Sequence, residues 1–177
     1  MILILMPKYV ITGGPSVGKT TTLNELFRRG YRVIHETARA IVDEQLKKGG
    51  KTLPWTNPVK FQEEIARRQV KLEKTIKEKE IVFLDRGLAD GAAYYIIHGF
   101  EPPKELLRIS KKRYAKVFIL DPLPKYTTTY YRKEDKKLAL KEHKLVIDIY
   151  ERLGYKIIRV PVMPVEKRVD LQAHSLG

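Results

Sequence analysis

The chain has 177 residues, and its 35 Lys and Arg residues against 21 Asp and Glu residues give a formal net charge of +14. Its composition, 43% hydrophobic and 32% charged, excludes a disordered chain and fits a soluble globular protein with one domain over residues 1–177. The absence of cysteine excludes disulfides and thiolate metal sites. Residues 2–6 (ILILM) are too short for a membrane span or a signal peptide, so we expect a cytoplasmic protein.

The predicted elements alternate between short apolar strands and amphipathic helices. Strands are predicted at residues 9–12, 32–35, 81–85, 116–121 and 155–160, and helices from residue 20, after residue 36, over 57–79, around 93–97, to residue 112 and over 145–153. The helix over 57–79 should bury the stripe Phe61, Ile65, Leu72 and Ile76. Such alternation predicts an α/β fold with a five-stranded parallel sheet, helices on both faces and a lid at about 122–137. Residues 1–5 are either an extension or part of the first strand.

One stretch carries the strongest chemical signal. Residues 13–20 (GGPSVGKT) fit the phosphate-binding P-loop pattern G-x-x-x-x-G-K-[ST], and they lie between a predicted strand and a predicted helix. Glycines let successive N–H groups face an anion, and the helix N-terminus adds partial positive charge. The alternative is a glycine turn before an ordinary helix. The motif predicts that ATP is held by Gly13, Gly14, Pro15, Ser16, Val17, Gly18, Lys19, Thr20 and Thr21.

Within this stretch, Lys19 should reach the β- and γ-phosphates and the Thr20 hydroxyl should ligate Mg²⁺. Mg²⁺ also prefers carboxylate oxygens, and apolar runs end at Asp85 and at Asp121. We choose Asp85 as the metal ligand because Arg86 follows it, whereas Asp121 precedes prolines that indicate the exit into a lid. The alternative for either aspartate is a helix N-cap.

A family resemblance rests on several short segments. Asp85-Arg86-Gly87 followed by Ala93-Tyr94 resembles the D-R-x…A-Y pattern of thymidylate kinases and deoxynucleoside kinases, although Gly87 replaces the usual aromatic residue of thymidylate kinases. Over about residues 8–172 the chain resembles the AAA-type P-loop ATPase/kinase family that includes nicotinamide-riboside-kinase-like domains. The resemblance implies that Glu36 is the acidic base or substrate anchor and that Gln62 contacts the base of the acceptor.

The acceptor side is predicted from charge. A kinase needs a carboxylate to orient or deprotonate the attacking hydroxyl and a cation to balance the moving phosphoryl group. Glu36 and Arg39 provide both, and Asp90 is expected on the substrate side as well. The alternatives are a surface ion pair for Glu36 with Arg39 and a plain surface glutamine at Gln62.

Two further segments complete the predicted site. The predicted lid supplies arginine to the transition state, with Arg132 first and Lys133 second; its polar residues are Tyr126, Tyr130, Tyr131, Arg132, Lys133, Glu134 and Asp135. The alternative is a solvated loop. Pro161 begins a loop that is similar to the adenine-side loop of related kinases. Because ligands bind beyond the carboxyl ends of parallel strands, the P-loop, Glu36, Asp85 and Pro161 should meet at one edge.

The sequence therefore predicts a kinase that moves the γ-phosphoryl of ATP, with Mg²⁺, to a small nucleoside- or nucleotide-like acceptor. In this hypothesis Arg86 and Arg132 stabilise the moving charge. One alternative is an NTPase that transfers to water. A second is a nucleotide-dependent module that binds nucleic acid or protein, motivated by the +14 charge. No membrane partner is expected, and the acceptor, the choice of ATP over GTP and the oligomeric state are left open.

Overall fold

The computed structural model describes residues 7–77, 79–124 and 136–176. Strands and helices alternate along the described chain, as the apolar pattern predicted. The strands are β1 (Lys8–Thr12), β2 (Arg32–Ile34), β3 (Val82–Asp85), β4 (Lys116–Leu120) and β5 (Ile157–Val160). The helices are α1 (Lys19–Arg28), α2 (Ala38–Lys48), α3 (Pro58–Glu73), α4 (Asp90–Ile97), α5 (Lys104–Ser110), α6 (Lys136–Arg152) and α7 (Val165–His174).

The strands form a five-stranded sheet in the order β2-β3-β1-β4-β5, and each neighbouring pair is parallel. This confirms the predicted α/β fold. The register aligns Ile11 of β1 with Asp85 of β3. The first strand therefore lies at the centre of the sheet, and its carboxyl end meets those of its two neighbours at one edge.

Alternate residues of β1 face opposite sides of the sheet, and each side is covered by helices. Tyr9 and Ile11 pack with α1 and α7, whereas Val10 packs with α4 and α6. Both faces are therefore buried, which explains why the central strands are continuous apolar runs rather than alternating ones. Among the described residues, no helix is both long enough and apolar enough to cross a membrane.

The predicted helix over 57–79 ends earlier, at Glu73, and its buried stripe differs from the prediction. Leu72 is 38% exposed, and Ile76 is buried but lies beyond the helix. The buried positions at this end are polar: the Glu73 carboxylate accepts hydrogen bonds from Lys8 and Arg113 at 2.9 and 2.8 Å. The spacing of apolar residues cannot reveal a buried carboxylate whose cationic partners lie far away in the sequence.

Candidate nucleotide and acceptor site

The P-loop connects β1 to α1, and its shape depends on two glycines. Gly13 has φ 138° and Gly18 has φ 87°, conformations that favour glycine. A Cβ atom at Gly13 would lie 2.8 Å from the carbonyl oxygen of Leu120. The main-chain N–H of Thr22 donates to the Gly18 carbonyl at 3.1 Å and starts α1. The loop therefore turns tightly into a helix N-terminus, the arrangement that binds phosphate groups in proteins.

Lys19 lies at the centre of this loop. Its side chain is buried, and Nζ donates to the carbonyl oxygens of Gly14 at 2.8 Å and Gly13 at 3.4 Å. Burial, together with the nearby charge of Arg86, lowers the pKa of Lys19 to about 8. Thr20 and Thr21 follow in the first turn of α1 and are exposed. A cation and two hydroxyls are thus presented together at the helix start.

Asp85 ends β3, next to the strand that leads into the P-loop. Its Oδ1 atom is buried and has no hydrogen-bond partner within the described part of the chain. Burial raises the pKa of Asp85 to about 6, and the negative charge of Glu36 contributes in the same direction. A buried carboxylate oxygen without a donor fits a divalent cation, which binds one or two protein carboxylates and completes its shell with phosphate oxygens and water. Asp121, in contrast, pairs with Arg159 at 2.7 Å.

Arg86 forms ion pairs with several acidic residues at the centre of the site. Its side chain is 8% exposed and contacts carboxylates from three parts of the chain, at 3.3, 3.2 and 3.3 Å respectively: Glu36, Asp90 and Glu142. NH1 also donates to the Gly13 carbonyl at 3.2 Å, and the guanidinium lies 5.5 Å from the centre of the Tyr94 ring. Arg86 therefore links the P-loop to the side of the site where the acceptor was predicted.

Asp90, which was predicted on the substrate side, lies in a buried hydrogen-bond network. Its carboxylate is 2% exposed, and both oxygens accept hydrogen bonds from within the protein. Oδ2 accepts from the Gly87 N–H at 2.9 Å and from the Tyr150 hydroxyl at 2.7 Å, while Oδ1 accepts from Thr12 and Arg86. All of these bonds are internal, and the ion pair with Arg86 places Asp90 beside the central cation of the site, while its predicted substrate contact stays a prediction.

A cavity of about 410 Å³ opens beside Pro15 of the P-loop, between α2, α3, α4 and α6. The predicted acceptor residues Glu36, Arg39 and Gln62 all line it together with Arg86. Its aromatic walls are the side chains of Trp55, Phe61 and Tyr94. A mainly apolar cavity with a few converging polar groups is the usual form of a small-molecule site.

Three residues of this region carried no motif in the sequence: Trp55, Glu142 and His143. Glu142 is 2% exposed and reaches Arg86 from α6, and the His143 ring accepts a hydrogen bond from the Gly14 N–H at 3.0 Å. Spacing offered one usable signal. Position 142 lies four before Val146 and seven before Ile149, so Glu142 is a charged residue on a buried helical stripe.

The structure describes only part of the predicted adenine side and lid. Pro161 follows β5 at the same sheet edge and is exposed. Arg132, Lys133 and the other predicted lid residues lie outside the described residues, so their role stays a prediction. The site as described therefore consists of the P-loop, Asp85, the Arg86 cluster and the aromatic cavity.

Comparisons with known proteins agree with this architecture. The family described as "AAA domain" matches residues 8–168. Deoxyadenosine kinase from M. mycoides is 16% identical with a TM-score of 0.66, and the match covers 96% of this chain and 97% of that chain. Thymidylate kinase from Ehrlichia chaffeensis is 17% identical with a TM-score of 0.65, and the match covers 97% of this chain and 98% of that chain.

A third similar structure is the NadR protein in complex with NR. It is 16% identical with a TM-score of 0.64, and the match covers 98% of this chain but 51% of that chain, so this chain spans about half the length of NadR. A comparison with curated proteins finds no match. At these identities the structural likeness establishes the fold.

Proposed function

The chain belongs to the AAA domain family, and we propose that it is a P-loop kinase that moves the γ-phosphoryl group of ATP to a small nucleoside- or nucleotide-like acceptor. One observation carries the proposal: Arg86 lines the aromatic cavity beside the P-loop and also donates a hydrogen bond to the P-loop itself. Two of the similar structures are, by name, a nucleoside kinase and a nucleotide kinase, which supports the same class of acceptor here.

The donor half of the site is formed by the P-loop. Its main-chain N–H groups and Lys19 hold the phosphates of ATP, and the loop beginning at Pro161 lies on the adenine side. Thr20 and Asp85 would hold Mg²⁺, which would supply positive charge to the phosphates of ATP. The buried, unpartnered Oδ1 atom of Asp85 supports this assignment.

The acceptor half is formed around Glu36. The hydroxyl oxygen of the acceptor attacks the γ-phosphorus, the bond to the oxygen that bridges to the β-phosphorus breaks, and ADP leaves. The hydroxyl proton passes to the Glu36 carboxylate, which is partly exposed at the cavity wall. Arg86 stabilises the charge on the transferred group, with Arg132 of the predicted lid as a second cation.

The walls of the cavity favour a flat, partly polar acceptor. Trp55 and Tyr94 present aromatic faces on which a base can stack, and the Gln62 amide offers both a donor and an acceptor to the edge of that base. Arg39 lies at the same cavity and can balance a phosphate on a nucleotide acceptor. A nucleoside or mononucleotide meets these requirements.

The test is ATP turnover against a panel of nucleosides, mononucleotides and vitamin precursors. We expect at least one acceptor to raise ADP release strongly and to gain one phosphoryl group by mass spectrometry. Turnover that no acceptor changes would overturn the kinase proposal in favour of hydrolysis. Absence of turnover together with steeply salt-dependent binding of RNA or DNA would favour the nucleic-acid-binding alternative.

A further inference from the structure

Arg168 in α7 bridges two loops that are far apart in the sequence. Although it is charged, it is only 8% exposed. Its Nε donates to the carbonyl oxygen of Met163 at 2.8 Å, and NH1 donates to the carbonyl oxygen of Val17 at 3.4 Å. One guanidinium therefore ties the loop after β5 to the P-loop.

The same guanidinium lies directly against the turn that precedes Lys19. A Cβ atom at Gly18 would be 2.5 Å from NH1 of Arg168, so a larger residue would push this side chain from its present position, and the φ of 87° also favours glycine there. Gly18 is also the N-cap of α1. Arg168 thus packs at the point where the loop becomes a helix, next to the N–H groups that face phosphate in P-loops.

Among the described residues, no carboxylate balances the charge of Arg168. Within residues 7–77, 79–124 and 136–176, no carboxylate forms an ion pair with it at 4.0 Å or less. Burial lowers the pKa of Arg168, yet a guanidinium stays protonated in proteins. A buried cation without a nearby negative charge destabilises the fold, and an anion bound close by reduces that destabilisation. The nearest surface built for an anion is the P-loop.

From these contacts we propose that Arg168 is a positioning residue for the donor nucleotide: it fixes the Val17–Gly18 turn against the loop after β5, and its buried charge strengthens the binding of the ATP phosphates. The proposal rests on the proposed kinase function. It adds a residue from α7 that belongs to no phosphate-binding motif and that acts through the loop rather than by touching the transferred group.

The test compares nucleotide affinity in two variants and a control. Arg168→Gln keeps a hydrogen-bond donor and removes the charge, whereas Arg168→Lys keeps the charge and one donor. Lys167→Gln removes a charge from an exposed position on the same helix. Isothermal titration with ATP, ADP and AMP gives the dissociation constants, and melting temperatures without nucleotide report on folding.

We expect Arg168→Gln to weaken ATP binding about tenfold, with a smaller loss for ADP and the smallest for AMP, because the charge acts on the phosphates. Arg168→Lys should lose only about threefold, and Lys167→Gln should match the wild type. This order across the three nucleotides separates donor positioning from simple destabilisation of α7, which would leave the affinity of the folded fraction unchanged.

Four results would overturn the proposal. Equal ATP affinity in the wild type and Arg168→Gln would remove Arg168 from the donor site and leave the kinase proposal intact. Equal losses for ATP and AMP would contradict a role for the charge. If Arg168→Gln does not fold, an unchanged ATP affinity in Arg168→Lys contradicts the tether. A wild-type protein that binds no ATP would overturn this inference and the kinase proposal together.

Discussion

The Nδ1 atom of His143 accepts a hydrogen bond of 3.0 Å from the main-chain N–H of Gly14, so α6 holds the first turn of the P-loop. An imidazole nitrogen can accept this bond only while it carries no proton. Burial lowers the pKa of His143, and the charges of Arg159 and Lys19 lower it further, whereas Asp121 opposes them. The folded protein therefore favours the neutral ring.

This relationship predicts a pH dependence of stability. Because the pKa of His143 is lower in the folded state than the unfolded value of 6.5, the unfolded chain binds more protons as the pH falls through that value. The free energy of unfolding therefore falls with the pH. His143→Gln keeps an acceptor oxygen but does not titrate, so its melting temperature should fall less than that of the wild type between about pH 7.5 and about pH 5.5.

The control for this experiment is His174→Gln, which changes an exposed histidine on α7. Its melting temperature should follow the wild-type curve. Parallel curves for His143→Gln and the wild type would show that the ring does not titrate against the Gly14 amide.

Replacement of Lys19 should separate stability from nucleotide binding. Burial lowers the pKa of Lys19 to about 8, which means that the folded state disfavours its charge at pH 7. Lys19→Met should therefore stabilise the free protein by about 1–2 kcal/mol, while the rise in melting temperature on addition of ATP disappears. Exposed Lys47→Met should change neither quantity. A Lys19→Met variant with wild-type ATP turnover would refute the P-loop assignment.

Asp85→Asn should also raise the stability of the free protein while it removes a functional property, the dependence on Mg²⁺. The folded state raises the pKa of Asp85 from 3.8 to about 6, so its carboxylate costs stability, and that cost builds up as the pH rises from the lower to the higher value. The variant should be more stable than the wild type at pH 7 by about 1–3 kcal/mol, and the difference should shrink toward about pH 5. When ATP turnover is measured at increasing Mg²⁺ concentration, the turnover of the variant should no longer depend on Mg²⁺ as that of the wild type does.

Asp121→Asn is the matched control, since Asp121 directly follows β4, on the other side of β1 from β3, and was the other candidate carboxylate. It should keep the Mg²⁺ dependence of the wild type. Loss of that dependence in Asp121→Asn but not in Asp85→Asn would exchange the two assignments.

Glu36→Gln tests the proposed base. The amide keeps the size of the side chain but cannot take the proton of the acceptor hydroxyl, so acceptor-dependent turnover should fall by about 10²–10⁴-fold with ATP affinity unchanged. Glu44→Gln on α2, which breaks a surface ion pair with Arg68, should leave turnover as it is. A tenfold or smaller loss in Glu36→Gln would argue that Glu36 orients the acceptor without accepting its proton.

Much of the fold could be predicted from the sequence because its signals are local. The runs that end at Asp85 and Leu120 are continuously apolar, as expected for strands buried on both faces, and residues 13–20 carry their own glycines, lysine and threonine. Glu36 follows β2 at the edge where the carboxyl ends of parallel strands meet, and it lines a cavity beside Pro15 of the P-loop.

The rest depends on contacts between distant residues. Asp90 was predicted to touch substrate, but its partner Tyr150 lies 60 positions away and takes one of its oxygens. Glu73 ends α3 in the core because Lys8, 65 positions earlier, reaches it. The sequence does not distinguish a carboxylate that binds a ligand from one that pairs with a neighbouring or a remote cationic side chain. Burial and pairing decide its role, and both appear only in three dimensions.

Arg86 adopts a left-handed backbone conformation with φ 70°, which costs a residue with a Cβ atom about 1–2 kcal/mol relative to glycine. Glycine at this position would relax the main chain, but it would remove the cation that pairs with the carboxylates of Glu36 and Glu142. Glycine would thus suit the backbone conformation best, but it would deprive the site of its guanidinium group. Efforts to make this protein more heat-resistant by relieving strained positions should leave residue 86 alone.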